Sequence, residues 1–306
     1  MLTGDRLAAA LRTALEELRR CCAAVNALNV FPVADHDTGA NLCATLRAAV
    51  EAVRASDRAH LGRVAEAAAR GAFLGARGSS GTILAEYLYG LSQAWKELPE
   101  ASAEETRMAL GMAARAARAA VQVPVEGTIL TVADRAAAAS GSDEDVGQLL
   151  RQAAAAARAT WLRTPEMLPV LRRAGVVDAG AAGLVALLEA MASAALGTPP
   201  SPLSPPAPAA GVASVVGSPG SSARYCTEVL LGEAGVSLDR VRRTLGRLGD
   251  AVVVAERDGR LRIHLHTQAL PSVLRRALRW GKVEEVRAVR LPPDASGEES
   301  CAGAWG

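Results

Sequence analysis

The spacing of apolar residues changes once along this chain, and that change divides it. From Thr3 to Leu28 the positions Leu7, Leu11, Leu15, Leu18, Cys22, Val25 and Leu28 recur every three or four residues. This is the stripe of an amphipathic helix, with Thr3 as its N-cap. The same period returns in Asn41–Val53, Leu61–Leu74, Ile83–Trp95, Glu104–Val121, Ile129–Ala138, Asp143–Leu162, Pro165–Arg173 and Leu184–Ala195. Residues 1–195 therefore read as one all-helical unit. Residues 196–222 are rich in Pro, Ser, Gly and Ala and read as a mobile linker. Beyond it come a strand (Arg224–Leu231), a helix (Leu238–Leu248), two strands (Ala251–Ala255 and Leu261–Thr267), a helix (Leu270–Arg279) and a last strand (Val283–Val289). That β-α-β-β-α-β order over 223–292 is the split βαβ arrangement. Residues 293–306 read as a disordered polar tail.

Only 3% of the residues are aromatic while half are hydrophobic, so the core is packed from Leu, Val and Ala, which favours helices. A formal net charge of +2 exerts no general pull on nucleic acid or anionic membrane, and the Arg residues are interleaved with acids and have few aromatics beside them to stack bases. No secretory pattern opens the chain, no apolar run is expected to reach membrane-spanning length, and no helix pairs aromatics on one face with bases on the other. The five cysteines are scattered, which points to a reducing, cytoplasmic setting.

The polar signals lie between the helices, where loops on a rigid scaffold usually carry function. The richest is 29–41, Asn-Val-Phe-Pro-Val-Ala-Asp-His-Asp-Thr-Gly-Ala-Asn. Asp35 and Asp37 sit two apart on a turn closed by Gly39, and Asp37 or Thr38 is placed to cap the next helix. Two carboxylates, the Asn29 amide oxygen and free helix N–H groups suit a hard cation carrying a polyphosphate. An Asx-rich turn with no ligand fits the same residues. Gly78-Ser79-Ser80-Gly81-Thr82 at a helix start offers N–H groups and hydroxyls to phosphate, without the Lys of a P-loop. Asp178-Ala179-Gly180 and Glu126-Gly127-Thr128 also precede helices, and both Asp178 and Thr128 are equally readable as simple N-caps. In the second unit Cys226, His264 and His266 fall on strands that neighbour each other in a split βαβ sheet. His264 and His266 share one strand face. One thiolate and two imidazoles suit Zn²⁺, and a packed Cys beside two surface histidines is the plainer alternative.

These motifs together resemble the nucleotide-binding domain of dihydroxyacetone kinases, and more closely its version in the ATP-binding subunit of bacterial fatty acid kinase. The resemblance rests on 29–41, on Gly75–Leu84, on Pro124–Val132 and on Ala174–Gly180, in the family's order. Tyr225–Glu228, Leu248–Asp250 and Ile263–Thr267 resemble the middle domain of the same protein type and carry the match to about residue 290. The resemblance implies an eight-helix antiparallel barrel with ATP at one end and Mg²⁺ on the acidic loop. It implies that Asp35 and Asp37 ligate Mg²⁺, with Asn29 where a third ligand stands. Thr38 and Asn41 would lie beside the phosphates, Ser79, Ser80, Gly81 and Thr82 would hold phosphate oxygens, and Asp178 and Gly180 would border the nucleotide. Zn²⁺ would sit at Cys226, His264 and His266. The implied reaction passes the γ-phosphoryl of ATP to a fatty acid carboxylate held by a DegV-like carrier. The alternatives are the nucleotide-binding part of a dihydroxyacetone-type kinase and a non-catalytic nucleotide-binding module. The family usually has Gly where this chain has His36. Its pattern continues into a C-terminal domain tied to homodimer formation and carrier docking, and the match ends before that domain.

Overall fold

The computed structural model describes residues 1–139, 145–207 and 225–291. The first part is a stack of helices: α1 (Gly4–Arg20), α2 (Cys22–Ala27), α3 (Thr38–Val53), α4 (Leu61–Gly75), α5 (Gly78–Trp95), α6 (Ala103–Ala120), α7 (Ile129–Ala138), α8 (Val146–Leu162), α9 (Thr164–Met167), α10 (Pro169–Ala174) and α11 (Ala179–Leu196). Two dipeptide strands, β1 (Leu2–Thr3) and β2 (Glu100–Ala101), pair antiparallel and are too short to leave a periodic signal. Local chemistry sets several ends. The Thr3 hydroxyl accepts from the Arg6 N–H at 3.4 Å. Ser102 and Glu105 form a reciprocal capping box on α6. Gly175 and Gly197 close α10 and α11 in the left-handed conformation that glycine tolerates.

The long helices α1, α3, α4, α5, α6, α7, α8 and α11 pack in succession, and α11 returns onto α1. The core they enclose is built of Leu, Val and Ala. The α11 helix is long and apolar enough to cross a membrane by length and composition, which corrects the expectation that no run reaches that length. Of its residues 78% are buried, and a helix apolar all round is what such a central position requires.

The second part holds β3 (Tyr225–Gly232), α12 (Leu238–Leu245), β4 (Gly249–Arg257), β5 (Arg260–Thr267), α13 (Leu270–Trp280) and β6 (Lys282–Arg290). Its antiparallel sheet has the order β4-β5-β3-β6. Val229, Leu231, Ile263 and Leu265 face Val241 and Leu245 of α12 and Val273 and Ala277 of α13 in a second core. The opposite face is not open: it lies against the helical unit. Phe73 packs with Leu230 and Ala255, Val253 joins the helical core, and Val121 bridges to Val253.

Three expectations shift. The first helix breaks at Cys21. The glycine-rich stretches at 78–82 and 179–183 are the first turns of α5 and α11, not breaks before them. The start of the supposed linker is anchored, because Leu203 is fully buried and its N–H donates to Glu17 Oε2 at 2.9 Å. The rest of the linker, 208–222, and the tail beyond 292 lie outside the described residues.

Candidate nucleotide and metal sites

The turn before α3 is built by two asparagines. Asn26 Oδ1 accepts the N–H groups of Gly39 and Ala40, at 2.7 and 3.2 Å. Asn29 Oδ1 accepts the N–H groups of Asp37 and Thr38 and the Thr38 hydroxyl, at 3.3, 3.1 and 2.6 Å, and its Nδ2 donates to Val33 O at 2.7 Å. This corrects three expectations. Neither Asp37 nor Thr38 caps α3 through its side chain. The first N–H groups of α3 are satisfied and do not face a ligand. Asn29, only 2% exposed, has its amide oxygen filled by three donors and acts as a brace for the turn, not as the cation ligand expected of it.

The consequence is that the Asp35 and Asp37 carboxylates are relieved of capping and meet each other. Burial pushes Asp35 well above the usual carboxylate range, and the neighbouring Asp37 pushes it further. Two carboxylates so placed need a cation or a proton between them. His36 between them has φ +55, so the residue in the glycine position does adopt a left-handed backbone. Its ring is exposed and stands 3.2 Å from the Asn26 carbonyl.

Asp35 and Asp37 line a cleft of about 700 Å³ between α3 and the sheet. Asn41, Gly78, Cys226, Glu228 and Arg287 line it as well. Gly78 has φ +63, a backbone that favours glycine, and a side chain there would also push on the Asn41 amide, whose Nδ2 would lie 2.5 Å from it. Ser80 approaches the other loop, since a Cβ on Gly180 would lie 3.2 Å from its hydroxyl and 3.3 Å from Asp178 Oδ2. Helix geometry leaves the N–H groups of Ser79 and Ser80 without intrahelical acceptors.

Other predicted contacts are engaged locally. Thr82 Oγ1 donates to Gly78 O at 2.9 Å and Thr128 Oγ1 to Val125 O at 2.7 Å. Gly81 packs its α-carbon against Thr45. Asp178 Oδ2 accepts the Ala181 N–H at 2.8 Å, capping α11, and its carboxylate also takes the N–H of Ile129 at the start of α7. Burial raises Asp178 to about 6 despite these two donors. Of the predicted nucleotide-loop residues, Asp35, Asp37 and Asn41 line the cleft, whereas Asn29, Thr38, Ser79, Ser80, Gly81, Thr82, Thr128, Asp178 and Gly180 lie outside its lining, Ser79 and Ser80 directly after Gly78 at its edge.

On the sheet, Cys226 is the direct cross-strand partner of His266, and Glu228 that of His264. The donor atoms of Cys226, His264 and His266 all lie within 4.8 Å of one another. The histidines are 2% and 3% exposed, not surface residues, because the helical unit covers their face. Both ring nitrogens of His264 and Nδ1 of His266 are buried and have no hydrogen-bond partner among the described residues. Burial, with His264 alongside, lowers His266 to about 3, which keeps it a neutral ligand. Buried orphan nitrogens beside a thiol are the donor set of a three-ligand zinc site, and the residues fit that metal.

Two residues here carried no functional reading in the sequence, though period two puts them on the same face. Glu228, two from Cys226, accepts the Gly78 N–H and stands 3.8 Å from His264 Nδ1. Burial acts to raise its carboxyl, but His264, the Gly78 N–H and Arg262 outweigh that and leave it below its ordinary value. Arg262, two from His264, is buried and donates to the carbonyls of Phe73, Leu74 and Ala76.

Comparison with known proteins agrees with this division. Residues 32–193 match the DAK2 domain model, and residues 222–295 match the model of the fatty acid kinase (FakA-like) middle domain. Protein YloV of Bacillus subtilis is 32% identical over 94% of this chain and 55% of its own length. An uncharacterized protein of Staphylococcus epidermidis is 29% identical over 87% of this chain and 51% of its own. The chain thus spans about half the length of these relatives. Among solved structures, the dihydroxyacetone kinase of C. freundii in complex with AMP-PNP and Mg²⁺ is similar at TM-score 0.47 and 19% identity, covering 61% of this chain and 33% of that one.

Proposed function

Because the chain belongs to the DAK2 domain family, we propose that it holds Mg-ATP at the acidic turn and passes the γ-phosphoryl group to a carboxylate. The observation that carries this reading is the carboxylate pair of Asp35 and Asp37, which Asn26 and Asn29 release from capping and leave lining a cleft. Mg²⁺ is commonly held by one or two carboxylates together with the phosphates themselves. In this reading Asp35 and Asp37 are the metal ligands. Asn29 and Thr38 hold the turn. Asn41, Ser79 and Ser80 face the phosphates, Gly81 and Thr82 support that helix start from within, and Thr128, Asp178 and Gly180 shape the adjoining helix starts. The ring of eight long helices is the family's antiparallel barrel, and the sheet unit its split βαβ partner.

The acceptor is read as a fatty acid carboxylate presented by a DegV-like carrier, supported by the match to the fatty acid kinase-like middle domain. One carboxylate oxygen forms a bond to the γ-phosphorus, the bond to the β–γ bridging oxygen breaks, and ADP leaves with that electron pair. A carboxylate is already ionised at neutral pH, so no general base is needed. The chain's own residues position the reactants, and Mg²⁺ supplies charge neutralisation when bound. Zn²⁺ belongs at Cys226, His264 and His266. The reading places the protein in the cytoplasm and includes the homodimer that the family pattern implies.

The test is transfer of labelled γ-phosphate from ATP to carrier-bound fatty acid, with the acyl phosphate trapped by hydroxylamine. Hydroxamate that depends on ATP, carrier and Mg²⁺ is the expected result. Nucleotide binding with no hydroxamate on any acyl carrier, or phosphorylation of dihydroxyacetone instead, would overturn the carboxylate acceptor.

A further inference from the structure

The turn between α4 and α5 is held in part from outside its own unit. A helix leaves its last carbonyls and first N–H groups without partners. Neither the end of α4 nor the start of α5 has a side-chain cap from its own capping residue, Ala76 or Arg77. Inside the unit the Arg77 N–H donates to Thr45 Oγ1 at 3.3 Å and Arg77 Nη1 to Ala76 O at 2.9 Å, and the remaining partners described come across the interface. Arg262 on β5 donates through Nε to Phe73 O at 2.7 Å, through one Nη to Leu74 O at 2.7 Å and through the other to Ala76 O at 3.1 Å. Glu228 on the adjacent β3 accepts the Gly78 N–H. A guanidinium at a helix C-terminus and a carboxylate at a helix N-terminus are the charges those ends favour.

We propose that Glu228 and Arg262 are positioning residues for the phosphate-binding start of α5, so that the sheet unit sets the geometry in which Ser79 and Ser80 meet the nucleotide. The inference rests on the reading that this helix start receives phosphate. Gly78 itself is unavailable to phosphate, because its N–H is held by Glu228. The donors left to the ligand are the next two residues. Their direction is fixed by a short turn pinned at both ends, with Gly78 wedged at φ +63 against Asn41. Releasing either pin lets the turn shift, and small displacements of positioning groups are costly to binding and transfer.

The experiment uses the full chain and Mg-ADP as the probe. Glu228→Ala, Glu228→Gln and Arg262→Met are compared with wild type. A control, Glu86→Gln with Arg257→Met, removes a different bond between the same two units, that of Arg257 with Glu86 at 2.6 Å. Affinity is measured by calorimetry, folding by circular dichroism, zinc by elemental analysis, and local order by hydrogen exchange over 75–82. Glu228→Ala and Arg262→Met should each weaken Mg-ADP about tenfold or more and raise exchange in that segment, with zinc retained. Glu228→Gln, whose amide oxygen accepts the same N–H, should bind close to wild type. Wild-type affinity and exchange in folded Glu228→Ala and Arg262→Met would overturn the proposal. So would an equal loss in the control pair, or a Gln variant as weak as the Ala variant. Failure of the wild type itself to bind Mg-ADP would instead remove the proposed function beneath it.

Discussion

Asp178 shows how one side chain can look like a ligand and be a joint. Its sequence position before a helix allows both a cap and a nucleotide contact. The structure makes it the cap of α11 and, at the same time, an acceptor for the start of α7. Its burial has a measurable consequence. The carboxyl rises from 3.8 to about 6, so between those values the folded chain keeps a proton that the unfolded chain has lost. Stability from this group therefore falls as pH rises through that window, by about 3 kcal/mol in all. Denaturant unfolding of wild type and Asp178→Asn at pH 4 and pH 7 should show the variant gaining about that much on wild type at the higher pH. An unchanged difference between the two proteins would contradict it. His36 is the opposite case, a residue whose type is read at once but whose backbone is not: only the fold shows that the loop demands φ +55 there.

At the scale of the element, helical periodicity locates the helices and misplaces several of their beginnings. Glycine reads as punctuation in the sequence, yet Gly81 and Gly183 lie inside helices at points where side chains of a neighbouring helix come close. A Cβ on Gly183 would lie 2.7 Å from Leu42 Cδ2. Such close approach is a tertiary demand that no local pattern records. The caps of α3 escape the sequence for the same reason, since Asn26 and Asn29 reach them across nine to fourteen residues of chain. Asn29→Ala removes one acceptor from two backbone N–H groups and a buried hydroxyl. It should cost about 2–4 kcal/mol in denaturant unfolding, well beyond an ordinary exposed cap. A loss under about 1 kcal/mol would mean that the turn stands without this brace.

For the whole molecule, the change of hydrophobic period separates two units correctly in kind but says nothing of how they dock. The face of the sheet bearing Cys226, Glu228, Arg262, His264 and His266 is polar by sequence and reads as open. It is covered because Arg262 and Glu228 complete the ends of α4 and α5, and Arg257 reaches Glu86 and lies 3.0 Å over the Tyr89 ring. Docking brings the acidic pair and Cys226 to one cleft. Residue chemistry identifies both clusters separately, and only the fold makes them neighbours. The central claim is that Asp35 and Asp37 together hold a metal–nucleotide complex in that cleft. Calorimetric titration of Mg-ATP into wild type and into Asp35→Ala/Asp37→Ala tests it most directly. Saturable binding in wild type that depends on Mg²⁺ and is lost in the folded double variant is the predicted result; equal binding in both proteins, or none in wild type, would contradict it.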